Sequence, residues 1–321
     1  MNSLKFLTIG LAALFTAGTA VAQNNFPDKP LRIIVPFTAG GVVDNIARVF
    51  GEQLQSRLGQ PVIIENRTGA SGAIGTDAAM RSAPDGYTLL AVSPSHAVLP
   101  SMVKSAKWDP AKDFRGIAGL GLVPNVIAVN PKVPVNSMKE LLARAKSQDV
   151  TYGTAGNGTS NHLSGELLGQ MAGVKFVHVP YQGQAQAVTD LVGGNIEMMP
   201  LTTALAKSHM ETGRLRGLAV TTAKRAKALP DLPTVAEASN LPGYEVGTWF
   251  GFVVPAKVPD AVVNRLAAEV AAVLAMPEVQ ARLTTLGMEI APQSPAEFDR
   301  YVADEFAKWA KVMKTAGIVA N

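Results

Sequence analysis

Short apolar, β-branched runs alternate along the chain with stretches whose apolar residues recur every three or four positions. Leu31-Arg32-Ile33-Ile34-Val35 reads as a buried strand. Beyond Gly40 and Gly41, the residues Val43, Ile46, Ala47, Phe50, Leu54 and Leu58 form one apolar stripe of a helix, which Gly59 is placed to end. Val62 to Glu65 is the next strand, a glycine-rich segment from Gly69 to Gly75 leads into a helix through Arg81, and Tyr87 to Val92 is a third strand after the Asp85-Gly86 turn. Ser93-Pro94-Ser95-His96 opens another helical stretch.

The middle repeats this style. Asn125 to Val129 is apolar and extended, and Ser137 with Glu140 is a capping box ahead of Leu141, Leu142 and Ala145. Val150 to Gly153 is a strand, followed by the polar loop Thr154 to Ser160 and a helix carrying Leu163, Leu167 and Leu168. Lys175 to Val179, Ile196 to Met199 and Leu215 to Val220 complete a second set of strands, with a helix carrying Ala185, Val188 and Leu191 between the first two. Tyr244 to Val254 is a long apolar strand. The final helix starts at a second capping box, Ser294 with Glu297, and carries Phe298, Tyr301, Val302, Phe306, Trp309 and Met313 on one side. Strand–helix alternation of this kind predicts an α/β architecture with parallel sheets. Two sheets predict two lobes, with chain crossings near Leu122–Pro124 and near Tyr244–Trp249 forming a hinge over a cleft.

The N-terminus departs from this pattern. Lys5 precedes an apolar run from Phe6 to Ala17, and Ala20-Val21-Ala22 precedes Gln23. A positive start, a short apolar run and an A-x-A site are the marks of a cleaved secretory signal peptide, residues 1–22. The run falls short of the ~20 apolar residues that span a bilayer. The mature protein is therefore expected in the periplasm.

Composition narrows the chemistry. The chain has 321 residues and no cysteine, which removes disulfides, thiolate nucleophiles, cysteine-held metals and lipoprotein acylation. Four histidines leave little for a metal site. Lys and Arg number 29 against 25 Asp and Glu, so the net charge is +4, or +3 once the leader carrying Lys5 is gone. That balance is too weakly basic for a nucleic-acid binder.

Five loops share one design, a strand end, then small or polar residues, then a helix start: Pro36–Gly41, Arg67–Gly72, Ser93–Ser95, Thr154–Ser160 and Tyr181–Gly183. The first N–H groups of a helix lack internal partners and carry the positive end of its dipole, so they bind anions without formal charge. Five such loops around a cleft would cradle a carboxylate. His162, just after the fourth loop, is a candidate neutral donor to a ligand, and a structural role fits it equally. Asp44 reads first as dipole compensation with an i,i+4 partner in Arg48, and second as a contact to a ligand ammonium. Enzyme signatures are missing from the sequence. It contains no G-x-x-x-x-G-K-[ST], no H-E-x-x-H and no G-x-S-x-G, and Gly69, Gly72 and Gly75 have the wrong spacing for a dinucleotide fingerprint.

Several segments resemble one family. Lys29–Phe37, Ala39–Arg48, Leu58–Val62, Glu65–Ala70 with Gly75, and Pro84–Leu90 resemble the substrate-binding proteins of tripartite tricarboxylate transporters, the Bug (Bordetella uptake) family. Asp109–Phe114, His178–Gly183, Asp190–Gly194, Pro233–Glu237 and Trp249–Gly251 continue the resemblance in unbroken order from about Phe26 onward. It implies a type II periplasmic-binding-protein fold of two α/β lobes around a cleft with two hinge crossings. Lobe 1 would comprise residues 23–123 and 249–321, and lobe 2 residues 124–248. The family's ligand loops fall on Phe37, Thr38, Ala39, Gly40 and Gly41, on Ser93 and Ser95, on Thr154, Ala155, Gly158, Thr159 and His162, and on Tyr181. Departures occur at Thr38-Ala39, at Leu99–Trp108 and at Leu201–Thr203, and they bear on which ligand is taken.

The expected function is capture of a small carboxylated solute by lobe closure. The solute would be a mono-, di- or tricarboxylate, an aromatic acid or an amino acid, delivered to the membrane components of a tripartite tricarboxylate-type transporter or to a sensor. No catalysis, cofactor or metal is expected, and the protein is expected to be a monomer. The competing reading is an exported α/β hydrolase or isomerase acting on a small carboxylate.

Overall fold

A computed structural model of the chain describes residues 26–315, so the expected leader lies outside the described residues. The order begins β1 (Leu31–Val35), α1 (Val42–Leu58), β2 (Val62–Asn66), α2 (Ala73–Met80), β3 (Thr88–Val92), the short α3 (Ser95–Val98) and β4 (Phe114–Val129). It continues with α4 (Met138–Ser147), β5 (Thr151–Thr154), α5 (Ser160–Ala172), β6 (Val177–Pro180), α6 (Gln184–Gly193), β7 (Met198–Thr202), α7 (Thr203–Glu211) and β8 (Arg216–Val220). The chain then forms α8 (Val235–Ser239), β9 (Gly247–Pro255), α9 (Asp260–Leu274), α10 (Pro277–Thr285), β10 (Glu289–Gln293) and α11 (Pro295–Thr315).

Local chemistry sets the helix ends. Gly59 closes α1 at φ 66°, a left-handed conformation that a side chain resists. At α11 the Ser294 N–H donates to the Glu297 carboxylate at 2.8 Å and the Glu297 N–H returns to Ser294 Oγ at 3.4 Å, the capping box the sequence predicts. At α4 the box is half formed. Ser137 Oγ accepts the Glu140 N–H, but the Glu140 carboxylate reaches one residue further back, to the Asn136 N–H.

The sheets are mixed, where the alternation predicted parallel ones. β2, β1 and β3 run parallel, as do β6, β5 and β7. Between these two sets lie β9 and β4, paired antiparallel to each other and to their neighbours. The antiparallel pair carries the chain between the lobes. β4 pairs with β9 from Phe114 to Pro124, then with β7 and β8 from Asn125 to Val129. On the return, the Val246 N–H bonds the Thr221 carbonyl at 2.8 Å, and Gly247 pairs with Pro124. The two crossings thus lie side by side, and each changes sheets within about one residue.

β4 starts eleven residues before the apolar run at Asn125. Its glycines hide it from a hydrophobicity pattern. They make room for α11: a Cβ on Gly119 would meet the Phe298 ring at 2.9 Å, and one on Gly251 of β9 would also strike that ring.

Each lobe has a core on both faces of its sheet. In the first lobe, α1, α9 and α10 cover one face through Phe50, Leu54, Leu266 and Leu283. The other face packs Trp108, Phe114, Trp249, Phe298 and Val302. In the second lobe, Leu141, Tyr152, Leu163 and Tyr244 fill one face, and Val188, Leu191, Met199 and Leu201 the other. α11 belongs to both lobes. Its start, at Phe298 and Val302, lies in the first core, and its end, at Trp309, Val312 and Met313, lies in the second. The helix is therefore a third link beside the two strand crossings, which the sequence reading did not foresee.

Candidate functional site

The register places four of the predicted loops in two adjacent pairs. β1 and β3 are parallel neighbours, so Pro36–Gly41 and Ser93–Ser95 leave the same end of the first sheet. β5 and β6 are parallel neighbours, so Thr154–Ser160 and Tyr181–Gly183 leave the same end of the second. Ligands of open α/β sheets bind at these carboxyl ends. The two ends meet. A Cβ on Gly158 of the second lobe would lie 3.2 Å from Leu99 and 3.6 Å from Met102, just beyond α3 of the first lobe.

In the first lobe the loop is held by one buried carboxylate. Asp44 accepts the Gly40 N–H at 2.8 Å, the Arg48 guanidinium at 2.8 and 3.0 Å, and Asn66 Nδ2 at 2.8 Å. Asn66 Nδ2 also donates to the Phe37 carbonyl at 3.1 Å, tying β2 to the loop. Burial opposes ionisation of Asp44, but Arg48, the Gly40 amide and Asn66 outweigh it and hold its carboxyl below the usual carboxylate range. Asp44 and Arg48 make the ion pair predicted for them, and two further bonds to Asp44, from the Gly40 amide and from Asn66, lock the loop. The Gly40 amide is thereby spent inside the protein. The exposed Thr38 and Ala39, together with the first turn of α1 beyond Gly41, remain as the outward face of this loop. Ser93 and Ser95 are buried with their hydroxyls 3.3 Å apart.

In the second lobe the candidate residues form a network. The Gly156 N–H lies 3.2 Å from Thr154 Oγ1, and that hydroxyl lies 2.7 Å from His178 Nε2. Thr159 Oγ1 donates to the Gly156 carbonyl at 2.7 Å. The Gly158 N–H donates to His162 Nδ1 at 3.2 Å, which puts the proton of a neutral His162 on Nε2, 3.7 Å from Glu166 Oε1. The two imidazoles stack 4.3 Å apart, and the Tyr152 hydroxyl donates to Glu166 at 2.6 Å. Burial lowers His162 to about 3, helped by His178, and lowers His178 to about 4. Ala155 is half-buried at the start of the loop. Tyr181 donates its hydroxyl to Asp190 at 2.7 Å, and burial with that carboxylate pushes it up to about 12. His162, predicted as a neutral donor toward a ligand, is neutral here but is turned to its own loop and to Glu166. His96, at the end of the Ser93–Ser95 loop, bonds the Ser93 carbonyl through its N–H at 2.9 Å, while its ring makes no hydrogen bond and packs against Trp108 and Phe114.

A polar cluster at the crossing escaped the sequence reading. Asn125 Nδ2 lies 3.3 Å from Ser160 Oγ and 3.4 Å from Thr248 Oγ1, and those two hydroxyls bond each other. The cluster joins β4, the first turn of α5 and β9, so it touches the ligand-loop helix and both crossings. The available signal was an Asn set inside the apolar run from Val123 to Val129. Thr202, which pairs with Asn125 across the sheet, donates its hydroxyl to Gln184 at the start of α6.

The arginines beside the first-lobe loops are engaged by carboxylates. Arg48 is paired with Asp44, and Arg67, the one cation in the predicted loops, is paired with Glu65. A ligand would meet amides and hydroxyls. Among the described residues no group of three His, Asp or Glu side chains is placed to hold a metal ion, and no helix is long and apolar enough to cross a membrane.

Known proteins match along nearly the whole chain. Protein BugT of Bordetella pertussis is 34% identical over 327 residues, covering 99% of each chain. An R. palustris protein solved with adipate is 36% identical, superposes with a TM-score of 0.82, and covers 92% of this chain and 100% of its own. MatC from Rhodopseudomonas palustris, solved with bound malate, is 29% identical with a TM-score of 0.79, covering 89% of this chain and 99% of its own. The family model for the tripartite tricarboxylate transporter family receptor matches residues 46–318. With the two-lobe α/β fold, this places the chain in the tripartite tricarboxylate transporter receptor family, whose members are solute-binding receptors.

Proposed function

We propose that this chain is a periplasmic receptor that captures a small dicarboxylate between its lobes and presents it to the membrane components of a tripartite tricarboxylate-type transporter. The observation that carries the reading is the pairing of four helix-start loops at the carboxyl ends of the parallel strands of the two lobes, with Arg48 and Arg67 beside the first-lobe loops each paired with a carboxylate. Such a site selects an ionised carboxylate through amide and hydroxyl donors, which bind a charged acceptor more strongly than a neutral one. Adipate and malate in two similar structures support a dicarboxylate as the class.

The ligand would rest on Phe37, Thr38, Ala39 and Gly41 with Ser93 and Ser95 on one side. Ala155, Gly158, Thr159 and Tyr181 would close from the other. Gly40, Asp44, Thr154 and His162 would act one layer behind, holding the loops. Lobe 1 is taken as 23–123 with 249–321, and lobe 2 as 124–248. The partner switch of β4 at Pro124–Asn125 supports this division. Closure would bend the chain there. No catalysis belongs to the proposal, and the signal peptide of residues 1–22 would direct export.

A thermal-shift screen of mono-, di- and tricarboxylates against their methyl esters tests this. Ligand at about 100 times its dissociation constant adds roughly 2.7 kcal/mol to the folded state and raises the melting temperature by several degrees. Esters that stabilise as well as the free acids, or a response confined to sugars or amines, would sink the proposal.

A further inference from the structure

Two imidazoles hold the second-lobe loop, His162 as an acceptor of its backbone and His178 in a contact with Thr154 that either partner can donate. His162 Nδ1 takes the Gly158 N–H at 3.2 Å. His178 Nε2 lies 2.7 Å from Thr154 Oγ1, which itself receives the Gly156 N–H. A backbone N–H cannot reverse its role, so His162 serves this loop only while Nδ1 carries no proton. For His178 the chain runs from amide to hydroxyl to ring nitrogen, and its last bond needs a bare Nε2 if the threonine is to donate.

The surroundings reinforce this. Each ring has the other as a stacked neighbour 4.3 Å away, so a proton on one opposes a proton on the other. Tyr152 of β5 stacks on His178 and donates its hydroxyl to Glu166. Glu166, on the same helix as His162, is the carboxylate that faces the pair, and it is shared with Tyr152. Lys175, just before β6, is exposed and lines the same groove. Asn157, Met102 and Thr315 at the end of α11 also line that groove.

We propose that His162 and His178 are positioning residues which, as neutral acceptors, hold the β5–α5 loop in its ligand-receiving shape, so that acid releases the loop and the ligand together. The ligand half rests on the proposed receptor function, while the loop half does not. Once the loop lets go, each ring regains an ordinary pKa near 6.5. At pH 5.0 each proton then favours the released loop by about 30-fold.

The test compares the parent with the double variant His162→Asn and His178→Gln. An Asn oxygen can stand where Nδ1 stands and a Gln oxygen where Nε2 stands, and neither titrates. Adipate affinity is measured by calorimetry at pH 7.5 and 5.0, and the Gly156 and Gly158 amides are followed by nuclear magnetic resonance over the same range. The parent should lose about tenfold or more in affinity at pH 5.0, with both amide signals moving. The double variant, which carries the same titration of the ligand, should lose less than about threefold, with its amides still. His162→Leu, lacking an acceptor, should bind adipate at least about fivefold more weakly already at pH 7.5. Amides of the parent that stay fixed down to pH 4.5, or a double variant that follows the parent, would overturn the proposal. If adipate fails to bind the parent at pH 7.5, the receptor reading suffers and the amide signals still decide the role of the imidazoles.

Discussion

Glu305 offers a sharp test of how α11 ties the lobes together. Its carboxylate is nearly buried, and one oxygen, Oε2, accepts both the Trp249 indole N–H at 3.0 Å and the Trp309 indole N–H at 2.9 Å. Trp249 stands on β9 just past the return crossing, and Trp309 lies in the second-lobe core. The other oxygen meets Lys308 at 3.2 Å on the partly exposed side. Glu305→Ala strands two buried donors, each at a cost of about 1–3 kcal/mol, and removes a half-exposed ion pair worth at most ~1 kcal/mol. The expected loss is about 2–7 kcal/mol, at about 2–4 °C in melting temperature per kcal/mol for lobes of this size. Glu305→Gln keeps an oxygen where both indoles converge and gives up only the contact with Lys308, so it should cost no more than about 1 kcal/mol. Urea and thermal unfolding followed by tryptophan fluorescence measure both variants. Two of the three tryptophans are partners of Glu305, so the signal reads the region directly. If Glu305→Ala costs less than about 1 kcal/mol, or if Glu305→Gln is as damaging, the doubly shared oxygen is not what holds this joint.

Two further variants address the first-lobe loop. Gly41 sits at φ −73°, and an added Cβ would approach nothing nearer than the Thr38 carbonyl at 3.4 Å, so Gly41→Ala should fold as the parent does and weaken carboxylate binding about tenfold if the ligand lies against this loop; calorimetry beside thermal melting separates the two effects, and unchanged affinity would make the loop only a turn. Asp44→Ala should cost about 2–3 kcal/mol, in the range of a charge-assisted hydrogen bond lost from a buried site. The parent's share of this stability is full above the unfolded pKa, near 3.8, and fades as pH falls through the lower folded value, so the gap between parent and variant in denaturant melts should narrow only below about pH 4, and a gap that already closes at pH 6 would point elsewhere.

Much of the fold was legible because its local signals are strong. The stripe from Val43 to Leu58 became α1 with Gly59 as its left-handed stop, and the Ser294–Glu297 pair became the cap of α11. β4 was half hidden, because Gly116, Gly119 and Gly121 dilute its apolar pattern and their purpose lies in other elements, the Phe298 face of α11 for Gly116 and Gly119 and the backbone of β10 for Gly121. The antiparallel pair at the centre was also invisible, since strand direction is set by how the chain returns and not by the residues of either strand.

The candidate site divides in the same way. Loops rich in Gly, Ser and Thr between strand ends and helix starts can be read from sequence, because backbone geometry and capping demand those residues locally. Which amide faces a ligand and which is already taken depends on contacts from afar. Asn66, 22 positions from Asp44, helps to commit the Gly40 loop, and His178, 24 positions from Thr154, claims its hydroxyl. Asn125, Ser160 and Thr248 meet only because two crossings and a helix start converge. Most helices and strands, their alternation and the set of small-residue loops follow from neighbours a few residues apart and could be read in the chain. Which polar groups are spent inside the protein follows from packing, because a buried donor must find its acceptor wherever the folded chain brings one.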